Sequence, residues 1–407
     1  MGIFWGNKNK DKEKLALVFD FGSSSVGGAL FWTQKSGVPR MVFSTREQIV
    51  LEKNINPDRF LFLAIKSLEI VANRIYSMKL GAPETVFCVL SSSWYVSQTR
   101  IIKLEKNAPF VFTAELADSL IQKEIALFEE DHLVKYLDTK SPAKLIEMKN
   151  IKTMLNGYET SIPLDQKIKE LEMTIFISMS PEQILKLIKK TINRYFHFGK
   201  IKFSSFVLAS FAVIRNLRID QENFILIDIG GEVTDIAMAK KNILRDSISF
   251  PLGFNFMIRG VASLLNCSLS EAKSYFSLFK DGHATKSVAK KLGPIIDKLK
   301  MEWLLKFQES LSNLSNDISI PSIIYITVEK DLAEFFSEII RNEQFNQYTL
   351  AESKFEVVFL DANVFHGLVV FQKNVIRDPS LIIDSVYINQ FLIDSIYSTK
   401  RDEIEPI

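Results

Sequence analysis

The sequence predicts an α/β protein built from two lobes of like design, and three observations carry that reading. Phe224 to Lys240 reads FILIDIGGEVTDIAMAK: an apolar run ends at Asp228, breaks at Gly230 and Gly231, and resumes after Thr234 and Asp235. Such runs parted by glycine read as strand, tight turn and strand. Far upstream the device occurs a first time, with Leu15 to Phe19 as the apolar run, Asp20-Phe-Gly-Ser-Ser-Ser25 as the turn and Val26 to Trp32 as the returning strand. A strand, Asp-x-Gly turn and strand that occurs twice points to a duplicated fold. The third observation is size: 407 residues at 47% hydrophobic content are ample for two core-bearing lobes.

The elements follow in order from local pattern. Leu15 to Ile49 holds three successive β-rich runs, and Pro57 to Met78 then sets Phe60, Leu63, Ile65, Leu68, Val71 and Ile75 at helical spacing. Thr85 to Leu90 is a fourth strand. After Trp94 the pattern changes to a strand (Val96 to Leu104), a helix opened by Thr113 (Ala114 to Phe128), a polar stretch with a strand at Lys144 to Met154, and a strand at Leu171 to Met179. Ser180-Pro-Glu-Gln183 reads as a capping box with proline at the first helical position, so Pro181 to Phe196 is expected to be a helix with Ile184, Leu187, Ile188 and Ile192 inward. Ile201 to Val207 is a strand and Ala209 to Leu217 a short helix. Beyond the second turn, Ser268-Leu-Ser-Glu271 is another capping box. Val288 to Leu314 carries a helical stripe (Leu292, Ile296, Leu299, Trp303, Phe307, Leu311) interrupted by Gly293-Pro294. Ile323 to Val328 and Glu356 to Leu360 are short strands separated by a helix from Lys330 to Arg341.

Composition excludes several classes of function. No apolar run approaches the roughly 18 residues that a spanning helix needs. With 50 basic against 48 acidic residues the formal charge is +2, so no global field recruits nucleic acid. Cys88 and Cys267 lie in apolar contexts without a preceding signal peptide, which fits core thiols in a reducing cytoplasm. His132, His197, His283 and His366 lie far apart and lack metal-ligand spacing. Residues 1–14 join a small apolar tip (Ile3, Phe4, Trp5) to a lysine-rich run in which Asp11 and Glu13 offset the charge, and they read as a polar tail.

Glycines in the two turns let backbone approach a ligand closely, and successive amides there form a concave anion cradle. Aspartates beside them can hold a cation, so phosphate with magnesium is the natural filling. The paired turns, DxGSSS and DxGGxxTD, resemble the two phosphate loops of the actin-like ATPases, a ribonuclease H-like fold. Asp20-Phe-Gly-Ser-Ser-Ser-Val26 narrows this to the PilM/FtsA family, nearer its type IV pilus branch than its cell-division branch. Pro251-Leu-Gly253 and Ile258-Arg-Gly260 resemble the segment after the second loop. The resemblance spans about Leu15 to Leu360. It implies that 15–93 and 181–217 form lobe 1, that 94–180 is an inserted strand-helix-strand-strand subdomain, and that 218–378 form lobe 2, followed by an apolar C-terminal segment, 379–407. It also implies that Asp20, Gly22, Ser23, Ser24 and Ser25 face Asp228, Gly230, Gly231, Thr234 and Asp235 around ATP and Mg²⁺, with Asp20, Asp228 and Asp235 on the metal.

Three departures from the family pattern weigh against turnover. Gly27 stands where the family carries a lysine after the serine-rich turn. Ala209 stands where the crossing helix begins with a water-positioning carboxylate, a loss that typically costs about 10² to 10⁴ in rate. Val328-Glu329 replaces a glycine pair against which adenine rests. The expectation is therefore a cytoplasmic actin-fold scaffold of type IV pilus assembly, at most a slow ATPase, that binds the cytoplasmic tail of a single-span inner-membrane protein. Through that partner it is recruited to the inner face of the membrane, and homo-oligomers are open to it. An FtsA-like division tether is the alternative. The tail from Pro379 separates them: Leu381, Ile382, Ile383, Val386, Tyr387 and Ile388 precede any Lys or Arg, and its polar positions include Asp384 and Asp394. Such a segment lacks the cations that hold an interfacial helix to anionic lipid. It is expected to cover the second lobe or a partner subunit, without membrane insertion.

Overall fold

The apolar runs flanking the first turn become β1 (Lys14–Phe21) and β2 (Ser25–Thr33), followed by β3 (Arg40–Gln48). The computed structural model describes residues 13–34, 37–135, 142–197, 200–315, 319–342 and 354–392, so most of the N-terminal tail and the chain beyond 392 lie outside it. Helix α1 (Pro57–Ser77) starts as its sequence dictates, with Pro57 in its first turn and Asn56 Oδ1 accepting the Arg59 amide. It buries Leu63, Leu68, Val71 and Ile75, and β4 (Thr85–Leu90) follows.

The chain then leaves the lobe as β5 (Val96–Phe112), α2 (Ala114–Lys135), β6 (Ala143–Leu155), β7 (Tyr158–Glu159) and β8 (Gln166–Pro181). These form a separate sheet of order β5-β8-β6-β7 with its own core around Phe112, Phe128, Leu171 and Ile175. It returns through α3 (Glu182–Asn193), β9 (Ile201–Ser205) and α4 (Phe206–Leu217). The second lobe comprises β10 (Phe224–Ile229), β11 (Thr234–Lys240), β12 (Ile243–Phe250), α5 (Phe254–Leu265), α6 (Leu269–Lys280), α7 (Lys286–Ser315), β13 (Ile323–Val328), α8 (Ala333–Asn342) and β14 (Glu356–Phe359). Last come β15 (Val370–Phe371) and α9 (Pro379–Tyr387).

Duplication is explicit in the sheets. One contains the order β3-β2-β1-β4-β9 and the other the order β12-β11-β10-β13-β14. In both, the central strand is antiparallel to its hairpin partner on one side and parallel to the next strand on the other. Each therefore ends its central strand at an Asp-x-Gly turn on the same edge of the molecule, facing its counterpart.

Three local expectations need correction. The Ser180 capping box does not form: Ser180 stays in the β8 ladder opposite Lys144, its hydroxyl donates to Trp94 O (2.7 Å), and Pro181 caps α3 without a side-chain bond. The Ser268 box does form, with both reciprocal bonds present. Helix α7 runs unbroken through Gly293-Pro294, because its stripe from Leu292 to Leu311, centred on Trp303 and Phe307, is buried along its whole length. The apolar C-terminal segment covers the first lobe, not the second or a partner. After β14 the chain crosses back, β15 pairs with β3, and α9 packs on β1, β2 and α4. Leu381, Ile382, Ile383, Val386, Tyr387 and Ile388 are wholly buried in the first-lobe core, and Asn389 ties the following turn to Gln34 and Gly37. Lobe 1 thus includes residues that the sequence assigns to lobe 2 and the tail.

Candidate functional site

In the first turn, Gly22 N donates to Ser25 O (3.1 Å), Ser24 O accepts the Ile49 amide (2.8 Å) and Gly22 O accepts Trp94 Nε1 (2.8 Å). Asp20, at the end of β1, is almost fully buried and meets the guanidinium of Arg46 from β3, Nη2 to Oδ2 2.6 Å. Arg46 also donates from Nη1 to Ser25 Oγ (2.9 Å) and through Nε (2.5 Å) and Nη2 (2.9 Å) to both oxygens of Asp378. Asp378 caps α9, accepting the Leu381 amide at 3.1 Å. Burial pushes Asp20 above the ordinary carboxylate range, which the charge of Arg46 offsets only in part. For Asp378 burial acts the same way, but the charge and hydrogen bonds of Arg46 prevail and hold it below that range.

The second turn is tightened by Gly230 N donating to Val233 O (3.0 Å). It leans on a buried ion pair, in which Arg259 Nη1 and Nη2 donate to the two oxygens of Glu232 (2.6 and 2.8 Å) while Asn255 Nδ2 donates to one of them (2.8 Å). Arg259 Nε reaches the first lobe at Glu52 O (2.8 Å), and the Glu232 amide donates to Ser23 Oγ (3.2 Å), so the two turns touch. Gly253 is forced by this crowding: a Cβ there would stand 2.3 Å from Gly230 O. Asp228 accepts from Thr327 Oγ1 (2.7 Å), and Asp235, its cross-strand partner, accepts from Ser249 Oγ (2.5 Å). Burial, then the charge of Asp235, raises Asp228 to about 7. Asp235 is raised by burial, partly offset by hydrogen bonds from Ser249 and Ser92.

Between the turns lies a cleft of about 560 Å³. Of the residues singled out from sequence, Asp20, Gly22, Ser23, Ser24, Ser25, Asp228 and Gly230 line it, whereas Gly231, Thr234 and Asp235 do not. Strand alternation explains Thr234: its neighbour Asp235 shares a face with Asp228, so Thr234 points into the second-lobe core, bonded to Leu252 O and Trp303 Nε1. Gly231 instead meets Ser23, Ser24 and Asn255. The three aspartates do not gather as one ligand set; among the described residues no group of three or more His, Cys, Asp or Glu is placed to hold a metal ion. Asp20, engaged by a guanidinium, does not fit a metal ligand. Asp228, which lines the cleft and has no ion-pair partner among the described residues, does fit one that completes its shell with phosphate oxygens and water, as Mg²⁺ prefers, whereas its cross-strand partner Asp235 does not reach the cleft.

The three departures read differently in the fold. At Gly27 the guanidinium of Arg46 takes the room that a side chain would need, with a Cβ there standing 2.8 Å from Nη2. Ala209 is fully buried in α4, and the residue of α4 that reaches the cleft is Phe206, so no carboxylate is presented there. Val328 and Glu329 do line the cleft, with Glu329 Oε1 accepting from Gln48 Nε2 across it (3.3 Å). Sequence reasoning missed Arg46 and Asp378, whose partners lie far off along the chain. The one local signal was Asp378-Pro379, the cap and first residue of a helix.

No family model and no curated protein matches the chain. Solved structures do. A chain of the PilM-PilN type IV pilus biogenesis complex matches with a TM-score of 0.57 at 12% identity, covering 92% of this chain and 97% of that one. The ethanolamine utilization protein EutJ from Carboxydothermus hydrogenoformans follows at 0.40 and 10%, covering 93% and 90%. A protein with actin-like ATPase fold and unknown function from Bacteroides thetaiotaomicron gives 0.39 and 9%, covering 92% and 96%. The chain has a PilM-like, actin-like ATPase fold.

Proposed function

We propose that the protein is an actin-fold scaffold of type IV pilus assembly that binds the cytoplasmic tail of a single-span inner-membrane protein, with its cleft holding ATP and Mg²⁺ weakly and turning ATP over slowly at most. The observation that carries this reading is the four-stranded subdomain inserted between β4 and α3, in a two-lobed chain that follows the PilM fold over 92% of its length. Two features of the site support the slow chemistry. Phosphoryl transfer depends on positioning and on a group that orients water. Here α4 presents Phe206 to the cleft and carries no carboxylate, and Val328 and Glu329 line the cleft where the resemblance implies that the base rests.

The FtsA-like alternative needs a C-terminal helix free to lie on a membrane. Helix α9 spends its apolar surface on lobe 1, and among the described residues no helix is long and apolar enough to cross a membrane. Recruitment through a partner is the reading this supports. The test is capture from detergent-solubilised membranes with the full chain as bait, followed by direct binding of a synthetic peptide of the prey's cytoplasmic tail. A single-span pilus-assembly protein whose tail peptide binds is expected; a cytoplasmic division protein as prey would favour the alternative and sink the proposal.

A further inference from the structure

We propose that Arg46 is the cation of the phosphate site, and that the phosphate end of a nucleotide and the carboxylate of Asp378 are alternative partners for it. The proposal rests on reading the cleft as a nucleotide site. The sequence carries no lysine after the serine-rich turn, yet the fold brings a guanidinium there from the neighbouring strand. Gly27 and Arg46 stand opposite each other across β2 and β3. A Cβ at Gly27 would lie 2.8 Å from Nη2 and 3.0 Å from Cζ, so the guanidinium rests on bare backbone and excludes a side chain at that position. Loss of the lysine and presence of Arg46 are two sides of one arrangement.

The group is already placed for phosphate. It touches Ser25 and lines the cleft together with the serine-rich turn. Arginine has five N–H donors in a fork that matches phosphate oxygens. The contacts to Asp20, Asp378 and Ser25 use Nε, both Nη2 hydrogens and one on Nη1, which leaves one Nη1 hydrogen for an incoming oxygen.

Charge decides what happens when an anion arrives. Two carboxylates already take donors from one guanidinium, so an incoming phosphate must compete with them for it, and one carboxylate must withdraw. Asp20 cannot, since it is fixed in β1 between β2 and β4 and is nearly fully buried. Asp378 stands on the loop before α9 at the edge of the cleft, and on releasing Arg46 it still has the Leu381 amide to accept. Asp378 is therefore the group that phosphate displaces.

The test is calorimetric titration of ATP with Mg²⁺ into the full chain, comparing wild type, Asp378→Asn and Arg46→Gln, with tripolyphosphate as a probe that has no base. Asparagine is as good a helix cap as aspartate, so Asp378→Asn keeps α9 in place and removes only the competing charge. It is expected to bind both ligands about tenfold tighter than wild type, the size of one charge-assisted bond set free, whereas Arg46→Gln is expected to bind neither. Equal affinity of Asp378→Asn and wild type overturns the proposal even if Arg46→Gln does not fold. ATP binding retained by Arg46→Gln overturns it too, with the nucleotide reading of the cleft intact. Absence of ATP binding to wild type and Asp378→Asn alike overturns that reading, and the proposal with it.

Discussion

At the end of β1 Asp20 meets a guanidinium, whereas at the end of β10 Asp228 meets a second carboxylate, Asp235. The two turns share strand order, an Asp-x-Gly backbone and a position facing one cleft, yet their aspartates meet opposite charges. The first turn is balanced from within, by a residue of its own sheet. The second carries a carboxylate pair with no ion-pair partner among the described residues, and burial, then the charge of Asp235, raises Asp228 to about 7. A duplicated fold can thus keep the backbone of one turn in both halves while setting a guanidinium at one aspartate and a second carboxylate at the other.

The largest effect expected from breaking this contrast is at Arg46. Arg46→Ala leaves Asp20 and Asp378 buried and unpaired, and removal of one partner of a buried ion pair costs about 3–5 kcal/mol. Denaturant unfolding measures this, and adding Asp20→Asn to the variant is expected to restore part of the loss. At the second turn the sign reverses. Asp228 binds its proton more tightly folded than unfolded, so the stability it contributes is full below its ordinary value of 3.8 and is lost as pH rises through about 7. Asp228→Asn should raise the melting temperature at pH 8 by about 3 °C or more and change it little at pH 5. Equal shifts at both pH values would show that Asp228 is not the group that titrates. Millimolar Mg²⁺ should act on wild type in the same direction, by about 1–2 °C at pH 8, and not at all on Asp228→Asn. The smallest effect belongs to Thr327→Val, which removes the hydroxyl bonded to Asp228 and costs about 1 kcal/mol.

Most of the fold could be read because strand and helix periods are local. The paired turns led to two sheets of one order, and the stripe from Leu292 to Leu311 is buried as its spacing demands. What escaped was decided by partners remote in the chain. Hydropathy says that Leu381 to Ile388 must be covered, but not by which lobe. Ser180 and Ser268 both open a Ser-x-x-Glu/Gln pattern; Ser268 caps a helix, whereas Ser180 is held in a strand by Trp94, in the turn between β4 and β5. At the site, seven of the ten expected residues line the cleft. Thr234 could have been excluded from sequence, since a strand turns adjacent residues to opposite faces and Asp235 already claims the face of Asp228. Arg46 could not have been found, because nothing near it in sequence marks a residue whose partners are Asp20 on one side and Asp378 on the other.

The proposed scaffold role leaves the cleft with weakly held ATP and Mg²⁺ and little turnover. Steady-state phosphate release from ATP and Mg²⁺ by the full chain, alone and with the proposed membrane partner, tests that most directly. Release below about 0.01 s⁻¹ in both cases is the predicted result, about 10² or more under the rate of an efficient phosphoryl-transfer enzyme. Sustained release near 1 s⁻¹, abolished by Asp228→Ala, would contradict it.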